Sequence, residues 1–360
     1  MNCAIIGGGI QGLSTGILLE TLGVKTRIFS ESFAYHDGDD VPSVASNFAS
    51  ASIYPVAVET DMTEDEMIRQ CRESFTPFFE ASDVPVRKHT HYYLYEEEVG
   101  SPVPSRMNAR DISQYRGVLP SRSDKTVKDG YVCDEYFVEM PEYIPLLYQT
   151  YLRLGGKTEQ SGVTSDQLSS LPGDYVVNCS GYGSKKLFND DSMGAMKGHV
   201  LEVPYDEAAP LDFSYTYTPE EYSHYVYMYP RKDTVFFDGS YLEGDIVDGE
   251  WVGESPTKPI TVDGIEIPER LYTVNADLMR NHIEFSREDL SVRYGYRPYR
   301  SKGVRIERDG DIVHNYGHGG GGVSLSWVSA KRAVSHMTDV PDEILRDVAA
   351  ELNSTQRRSA

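Results

Sequence analysis

The chain opens, almost at its first residue, on Ala4-Ile-Ile-Gly-Gly-Gly-Ile-Gln-Gly-Leu-Ser-Thr-Gly16, and no other segment constrains the fold as tightly. The apolar run Ala4–Ile6 meets glycines at Gly7, Gly9 and Gly12, then a helical stretch through Ile10, Leu13, Ile17, Leu18 and Leu19. Strand, glycine turn and helix in that order suit a pyrophosphate. Gly7 permits the tight turn, Gly9 brings bare backbone to the phosphates, and Gly12 lets helix and strand pack closely. The first-turn N–H groups, those of Ile10 and Gln11 among them, and the positive end of the helix dipole face the anion. Lys25–Phe29 reads as a second strand that delivers Glu31, nineteen residues past Gly12, where a carboxylate accepts hydrogen bonds from an adenosine ribose. A glycine-rich stretch can be a simple turn, and the motif alone does not separate FAD from NAD. The order of elements is what points to a dinucleotide.

Composition narrows the rest. A chain of 360 residues is long enough for one large domain or two interleaved ones. Its net charge of −22, from 56 acidic and 34 basic residues, argues against nucleic acid and anionic membranes as partners. Such a surface suits a salt-rich cytoplasm as well as ordinary solubility. Cys3, Cys71, Cys133 and Cys179 show no metal spacing and read as packing residues in a reducing compartment, with no metal expected. Without a leader-like or membrane-length apolar segment, the expectation is a soluble, cytoplasmic protein.

Along the chain, the Ser- and Asp-rich segment from Ser30 to Ser52 is too long for a simple connection and is expected to be functional. Helices are expected over Glu64–Ser82 and Pro141–Leu154, the latter stopped by Gly155-Gly156, and again over Asn275–Arg287. Asp174 to Gly181 reads as a buried strand running into a glycine turn. From Gly198 to Arg293 the alternating, aromatic pattern predicts an antiparallel sheet with one solvated face. Strand Ile312–Tyr316 then meets Gly317-His-Gly-Gly-Gly-Gly322 and a helix over Val323–His336. Strand, glycine run and helix thus occur at both ends, and two helix N-termini can serve one extended ligand.

Four segments together, Ile6-Gly-Gly-Gly-Ile-Gln-Gly-Leu-Ser-Thr, Val177-Asn-Cys-Ser-Gly, Gly295-Tyr-Arg-Pro-Tyr-Arg and His314-Asn-Tyr-Gly-His-Gly-Gly-Gly-Gly, resemble the successive fingerprints of the D-amino-acid oxidase family of FAD flavoproteins. The resemblance selects FAD. It implies an α/β fold: a Rossmann-like, glutathione-reductase-like FAD domain from residues 1–58, 138–190 and 304–350, interleaved with an α+β substrate domain on an antiparallel sheet, residues 59–137 and 191–303, and a tail, 351–360. It places backbone of Gly319, Gly320, Gly322 and Val323 and the Ser324 hydroxyl against the flavin, and gives the Gly320 carbonyl to the substrate amine. The loop Ser46-Asn47-Phe-Ala-Ser50-Ala51-Ser52 is expected to touch the flavin, with Ala51 where the family usually has glycine. Val163, Ser180 and Gly181 are expected beside the cofactor. Arg297 resembles the arginine that grips the substrate carboxylate, a task suited to a planar fork; on residue type alone, Arg293, Arg300 and Arg305 are rivals. Tyr227 resembles the tyrosine whose hydroxyl also reaches that carboxylate, although these tyrosines also fit as plain sheet aromatics. Ser223 replaces a further active-site tyrosine, Tyr54 replaces a glutamine, and Lys197-Gly-His199 replaces Arg-Gly-Gln, which implies a remodelled substrate pocket. His318 is expected to be structural.

The activity so implied is oxidative deamination of a D-amino acid by hydride transfer to flavin N5, giving a 2-oxo acid, ammonia and hydrogen peroxide with dioxygen as acceptor. A homodimer is left open. The rivals are a D-aspartate or D-glutamate oxidase, with Arg231, Lys232 or His224 meeting the second carboxylate; a glycine, sarcosine or imino-acid oxidase or dehydrogenase; and a flavin-binding protein without catalysis.

Overall fold

The opening apolar run becomes strand β1, Asn2–Gly8, with Ala4, Ile5 and Ile6 all buried. Burial on both faces of a strand is the mark of a parallel sheet covered on both sides. In this computed structural model, which describes residues 1–34, 41–100, 109–205, 211–222 and 224–359, β1 pairs in parallel with β2, Lys25–Phe33, on one side and with Tyr175–Asn178 on the other. Ile5 stands opposite both Ile28 and Val177. The sheet has six strands, in the order Arg305–Asp309, Ile312–Tyr316, Tyr175–Asn178, β1, β2, Lys157–Gln160. Only the Arg305–Asp309 hairpin strand runs antiparallel to its neighbour.

This sheet belongs to the first of two units, formed by Met1–Arg87, Tyr136–Met196 and Gly295–Ala360. Helix α1, Ile10–Thr21, is buried nearly all round, as expected of a central helix apolar on every side. It packs on the helices Met140–Arg153 and Ser326–Ser335. Those two are joined by Trp327, whose Nε1 donates to the Tyr143 hydroxyl at 2.9 Å and whose ring stacks on Phe78 at 4.8 Å. Each fully buried aliphatic or aromatic side chain here contributes roughly 1.5–3 kcal/mol. The helix Glu64–Glu80 starts at Thr63, whose hydroxyl accepts from the Glu66 N–H, and carries Glu64, Asp65 and Glu66 against the positive end of its dipole. The last helix, Ile344–Ser359, covers most of the segment expected as a tail and buries Leu352 and Thr355.

The second unit comprises Lys88–Glu135 and Lys197–Tyr294. Its sheet is mainly antiparallel, with one departure from the expectation: Val86–Tyr95 and Phe213–Thr218 pair in parallel. One face carries Leu94, Tyr215, Tyr217, Val226, Met228, Val235 and Phe237 into a core closed by Leu271, Val274 and Leu278. Alternation sends Tyr227, Tyr229, Phe236 and Asp238 to the other face. The helix expected over Asn275–Arg287 lies instead at Glu269–Met279. Leu271, Val274 and Leu278 give that segment its apolar stripe, whereas the charged residues from Arg280 to Glu288 have none and form only a short turn at Arg287–Asp289.

A Cβ built on Gly12 would sit 1.9 Å from the Gly7 carbonyl oxygen. Gly12→Ala is therefore expected to cost roughly 3 kcal/mol or more, because backbone rather than a flexible side chain must move. Urea unfolding measures it, and a loss below about 0.5 kcal/mol contradicts the packing described.

Candidate active site

Because five strands run parallel, their carboxyl ends share one edge of the sheet. The chain leaves β1 through α1 to β2 on one side, while Tyr175–Asn178 adjoins β1 on the other. β1 is thus a topological switch point, where open α/β sheets bind ligands. To that edge come the Gly7–Gly12 turn, Glu31, Val163, the Ser180–Gly181 turn and the Gly317–Gly322 run, five segments far apart in the sequence.

At the first turn Gly9 caps α1 without a side-chain hydrogen bond, and the Ile10 N–H donates to Ser46 Oγ at 3.0 Å. Gln11 reaches across to the second glycine run, its Nε2 donating to the Gly322 carbonyl at 2.7 Å. Its buried Oε1 has no partner among the described residues. Glu31 at the end of β2 lies over Gly162, where a Cβ would stand 2.4 Å from Glu31 Oε1. Val163 packs against the cluster of Ala4, Ile6, Phe29 and Val176. Ser180 Oγ donates to Asn178 Oδ1 at 2.7 Å, which fixes the turn into Gly181.

The second run is backed by the loop Ser46–Val58. Gly319 has φ +50° and a Cβ there would be 2.4 Å from the Ala57 carbonyl oxygen, so only glycine fits. The Gly320 N–H donates to that same carbonyl at 3.0 Å. Ser324 Oγ donates to the Ser52 carbonyl at 3.0 Å, beside buried Val323. Asn47 N–H donates to the Val44 carbonyl, and Ser50 is half-buried. Ala51 stands at φ +66°, a left-handed conformation that costs a side-chain-bearing residue about 1–2 kcal/mol. This explains in backbone terms why glycine suits the position. The Ala51 carbonyl nonetheless accepts from Val138 N–H at 3.0 Å.

Arg297, half-buried, lies on Ser291–Arg300, two residues before Tyr299, which bridges in antiparallel fashion to His318. Pro298 lies against Gly181. The arginine is thus attached to both the Ser180–Gly181 turn and the glycine run. Its three rivals are held by carboxylates: Arg293 by Glu202 at 3.1 Å, Arg300 by Asp190 at 2.7 Å and Arg305 by Glu307 at 2.6 Å. The Tyr54 hydroxyl donates to Glu64 Oε1 at 3.1 Å. Ser223 lies outside the described residues. In the second unit Tyr227 donates its hydroxyl proton to Asp238 Oδ2 at 2.5 Å.

Two features of the first unit escaped the sequence. Asp190 accepts from Arg300 Nε and the Tyr316 hydroxyl, both at 2.7 Å; against the burial that raises its pKa, these partners hold the carboxyl well below its usual range. The Asn178 amide also approaches His314 Nδ1 at 3.3 Å. His318 is buried beside Ser329 Oγ at 2.9 Å, and burial pushes its pKa down to about 3. It is neutral at ordinary pH and occupied by Ser329, as a structural histidine should be. All four cysteines are buried and unpaired with one another, and burial pushes the thiols of Cys3, Cys71 and Cys179 up to about 12. Among the described residues no cluster suits a metal, and no helix is long and apolar enough to cross a membrane.

The donor set fits FAD. First-turn amides of α1 suit a pyrophosphate, the Glu31 carboxylate a ribose, and a second glycine cradle that a Cβ would fill suits a flat ring system. The FAD dependent oxidoreductase family model matches residues 2–336. A D-amino-acid oxidase from Dictyostelium discoideum is 27% identical over 352 residues, covering 93% of this chain and 90% of that protein. A D-aspartate oxidase from Homo sapiens is 27% identical over 358 residues, 92% of each. The solved L-alpha-glycerophosphate oxidase of Mycoplasma pneumoniae, with FAD bound, superposes with a TM-score of 0.67 over 95% of this chain and 96% of that one at 14% identity, a likeness of fold.

The buried histidine has a measurable signature. Unfolded His318 takes up a proton below its ordinary value near 6.5, whereas the folded residue does so only near 3. Stability is therefore full above that ordinary value and falls as the solution is acidified, by up to about 1.4 kcal/mol per pH unit. Urea titrations at about pH 7 and about pH 5 should show the loss, and His318→Gln should lessen it without abolishing it, because burial also pushes His91 down to about 3 and His314 to about 4. Identical slopes in the two proteins would exclude His318 as a cause.

Proposed function

The chain belongs to the FAD-dependent oxidoreductase family, as an amino-acid oxidoreductase with FAD as cofactor, and from that premise we propose that it deaminates a D-amino acid oxidatively. The observation that carries this reading is Arg297, standing on a strand that bridges to the glycine run and followed by Pro298, which lies against Gly181. When bound, FAD supplies the two-electron acceptor for the Cα–H hydride and passes the electrons to dioxygen as hydrogen peroxide, and the resulting imino acid hydrolyses to a 2-oxo acid and ammonia.

The chain's own residues bind and orient. Arg297 holds both carboxylate oxygens in its planar fork and so fixes which face of Cα is offered for reaction. The Gly320 carbonyl accepts a hydrogen bond from the amine; its amide is already given to Ala57, which holds the peptide in one orientation. Tyr54 is a wall of the substrate pocket. Gly7–Gly12 holds the pyrophosphate, Glu31 the ribose, and Gly319–Ser324 the flavin's polar edge, where amides stabilise negative charge. No side-chain base is needed at Cα once the amine is neutral, in keeping with a neutral, buried His318.

Anaerobic mixing with matched D- and L-amino acids tests the reading: the flavin absorbance should bleach with D-enantiomers only. Arg297→Ala should lower kcat/KM by about a hundredfold or more, and Arg297→Lys should restore only part of it, since charge without the fork does not fix orientation. Bleaching by L-amino acids alone, or an unaltered kcat/KM in Arg297→Ala, would refute the proposal.

A further inference from the structure

A cavity of about 270 Å³ opens in the first unit between the edge strand Arg305–Asp309, the helix Ser326–Ser335 and the segment from Thr60 to Met62. No residue placed at the cofactor or the substrate lines it. Val304, Leu325 and Val328 give it an apolar wall, while its charged lining is Arg300, Lys302, Arg305 and Arg332 against Asp61 and Glu307. Four positive charges against two negative ones leave an excess of two, in a chain whose net charge is −22. Such a local reversal of sign concentrates small anions. Ser329 also lines the cavity, and its Oγ lies 2.9 Å from His318 Nε2, so the space adjoins the second glycine run without being part of it.

Two of the guanidinium groups are already held in place. Arg300 donates from Nε to Asp190 at 2.7 Å and from Nη1 to the Gly303 carbonyl at 3.0 Å. Arg305 donates from Nε to Glu307 at 2.6 Å and from Nη1 to the Tyr316 hydroxyl at 3.0 Å. That hydroxyl in turn donates to Asp190 at 2.7 Å, so one network fixes both arginines. The Nη2 group of each has no acceptor among the described residues. A guanidinium immobilised in this way has little rotamer entropy left to lose when an anion arrives. Arg332, by contrast, gives both Nη groups to Asp61, at 3.0 and 2.8 Å. Lys302 makes no hydrogen bond or ion pair among the described residues, and its ammonium is a third donor.

We propose that this cavity is a binding site for a phosphate dianion, free or carried on a small organic molecule, with the Nη2 groups of Arg300 and Arg305 and the Lys302 ammonium as its donors. The charge fits, since a dianion cancels the excess of two. The shape of the anion decides between classes. A carboxylate offers two oxygens in one plane and is served by a single fork, whereas phosphate offers oxygens in several directions to separate side chains. Asp61 is paired with Arg332 and Glu307 with Arg305, so neither carboxylate stands uncompensated against the anion. No step of the proposed oxidation passes through this site.

Equilibrium dialysis of the FAD-loaded protein against radiolabelled inorganic phosphate, at constant ionic strength in chloride, tests this. One equivalent should bind with a Kd below about 1 mM. Lys302→Glu and Arg305→Gln should each weaken binding by about tenfold or more, since each removes a charged donor. Lys302→Glu breaks no contact within the protein and decides the matter if Arg305→Gln fails to fold. Arg297→Ala should leave the binding as it is, which separates this site from the one that grips the substrate carboxylate. Competition with glycerol phosphate distinguishes the sources: displacement of the label at concentrations below those of unlabelled phosphate assigns an organic phosphate, and weaker displacement assigns the free ion. Phosphate retained no better than chloride, binding undiminished by Lys302→Glu, binding abolished by Arg297→Ala, or displacement by succinate as effective as by phosphate overturns the proposal. Flavin bleaching by D-amino acids stands or falls independently of all these outcomes.

Discussion

The parallel pairing of β1 with a strand on each side is the constraint from which the site follows. Parallel neighbours must point their carboxyl ends the same way, so turns that lie at residues 7, 31, 163, 180 and 317 of the chain share one edge without any of them being sequence neighbours. A single extended cofactor can then touch all of them. The side-chain amide of Gln11 adds a direct tie, since its bond to Gly322 joins residues 311 apart. That bond spans the two glycine runs, so the geometry of one run is coupled to that of the other.

Behind this edge the supporting contacts are mostly polar and buried. Ser324 holds the Ser52 carbonyl, Gly320 the Ala57 carbonyl, and Asn315 Nδ2 donates to Thr15 Oγ1 at 3.2 Å beneath the helix pair. Buried groups with partners define position more sharply than apolar contacts do, because a displaced donor loses its bond without regaining water. The second glycine run and the start of its helix are thus held by backbone acceptors from the loop Ser46–Val58.

Much of this was legible in the sequence because local chemistry and fold agree there. Gly7, Gly12 and Gly319 occupy places that no larger residue can fill, and a strand followed by glycines and a helix has few other uses. The legibility ended where meaning depended on register or on distant partners. Asp238, in Phe236-Phe237-Asp238-Gly239, reads as the polar end of a strand, an ordinary place for aspartate; only the sheet register shows that it stands opposite Tyr227 and accepts its hydroxyl proton. Gln11 read as one more residue of the first turn, because its partner lies near the other end of the chain. Asp190, which holds Arg300 and Tyr316, had no local signal at all. The stretch Asn275–Arg287 shows the opposite case: its charge suggests a solvated helix, whereas the helix forms over Glu269–Met279, where Leu271, Val274 and Leu278 supply an apolar stripe.

The burial of the four cysteines bears on the working life of such a catalyst. Peroxide attacks thiolate rather than thiol, and sulfenic acid formed inside a core introduces a polar group where there is no room for it. An oxidase whose proposed product is hydrogen peroxide generates its own oxidant with every turnover. With Cys3, Cys71 and Cys179 held to about 12 and Cys133 also buried, scarcely any nucleophilic sulfur is offered to it. The residues chosen to fill the core thereby also protect the enzyme from wearing itself out.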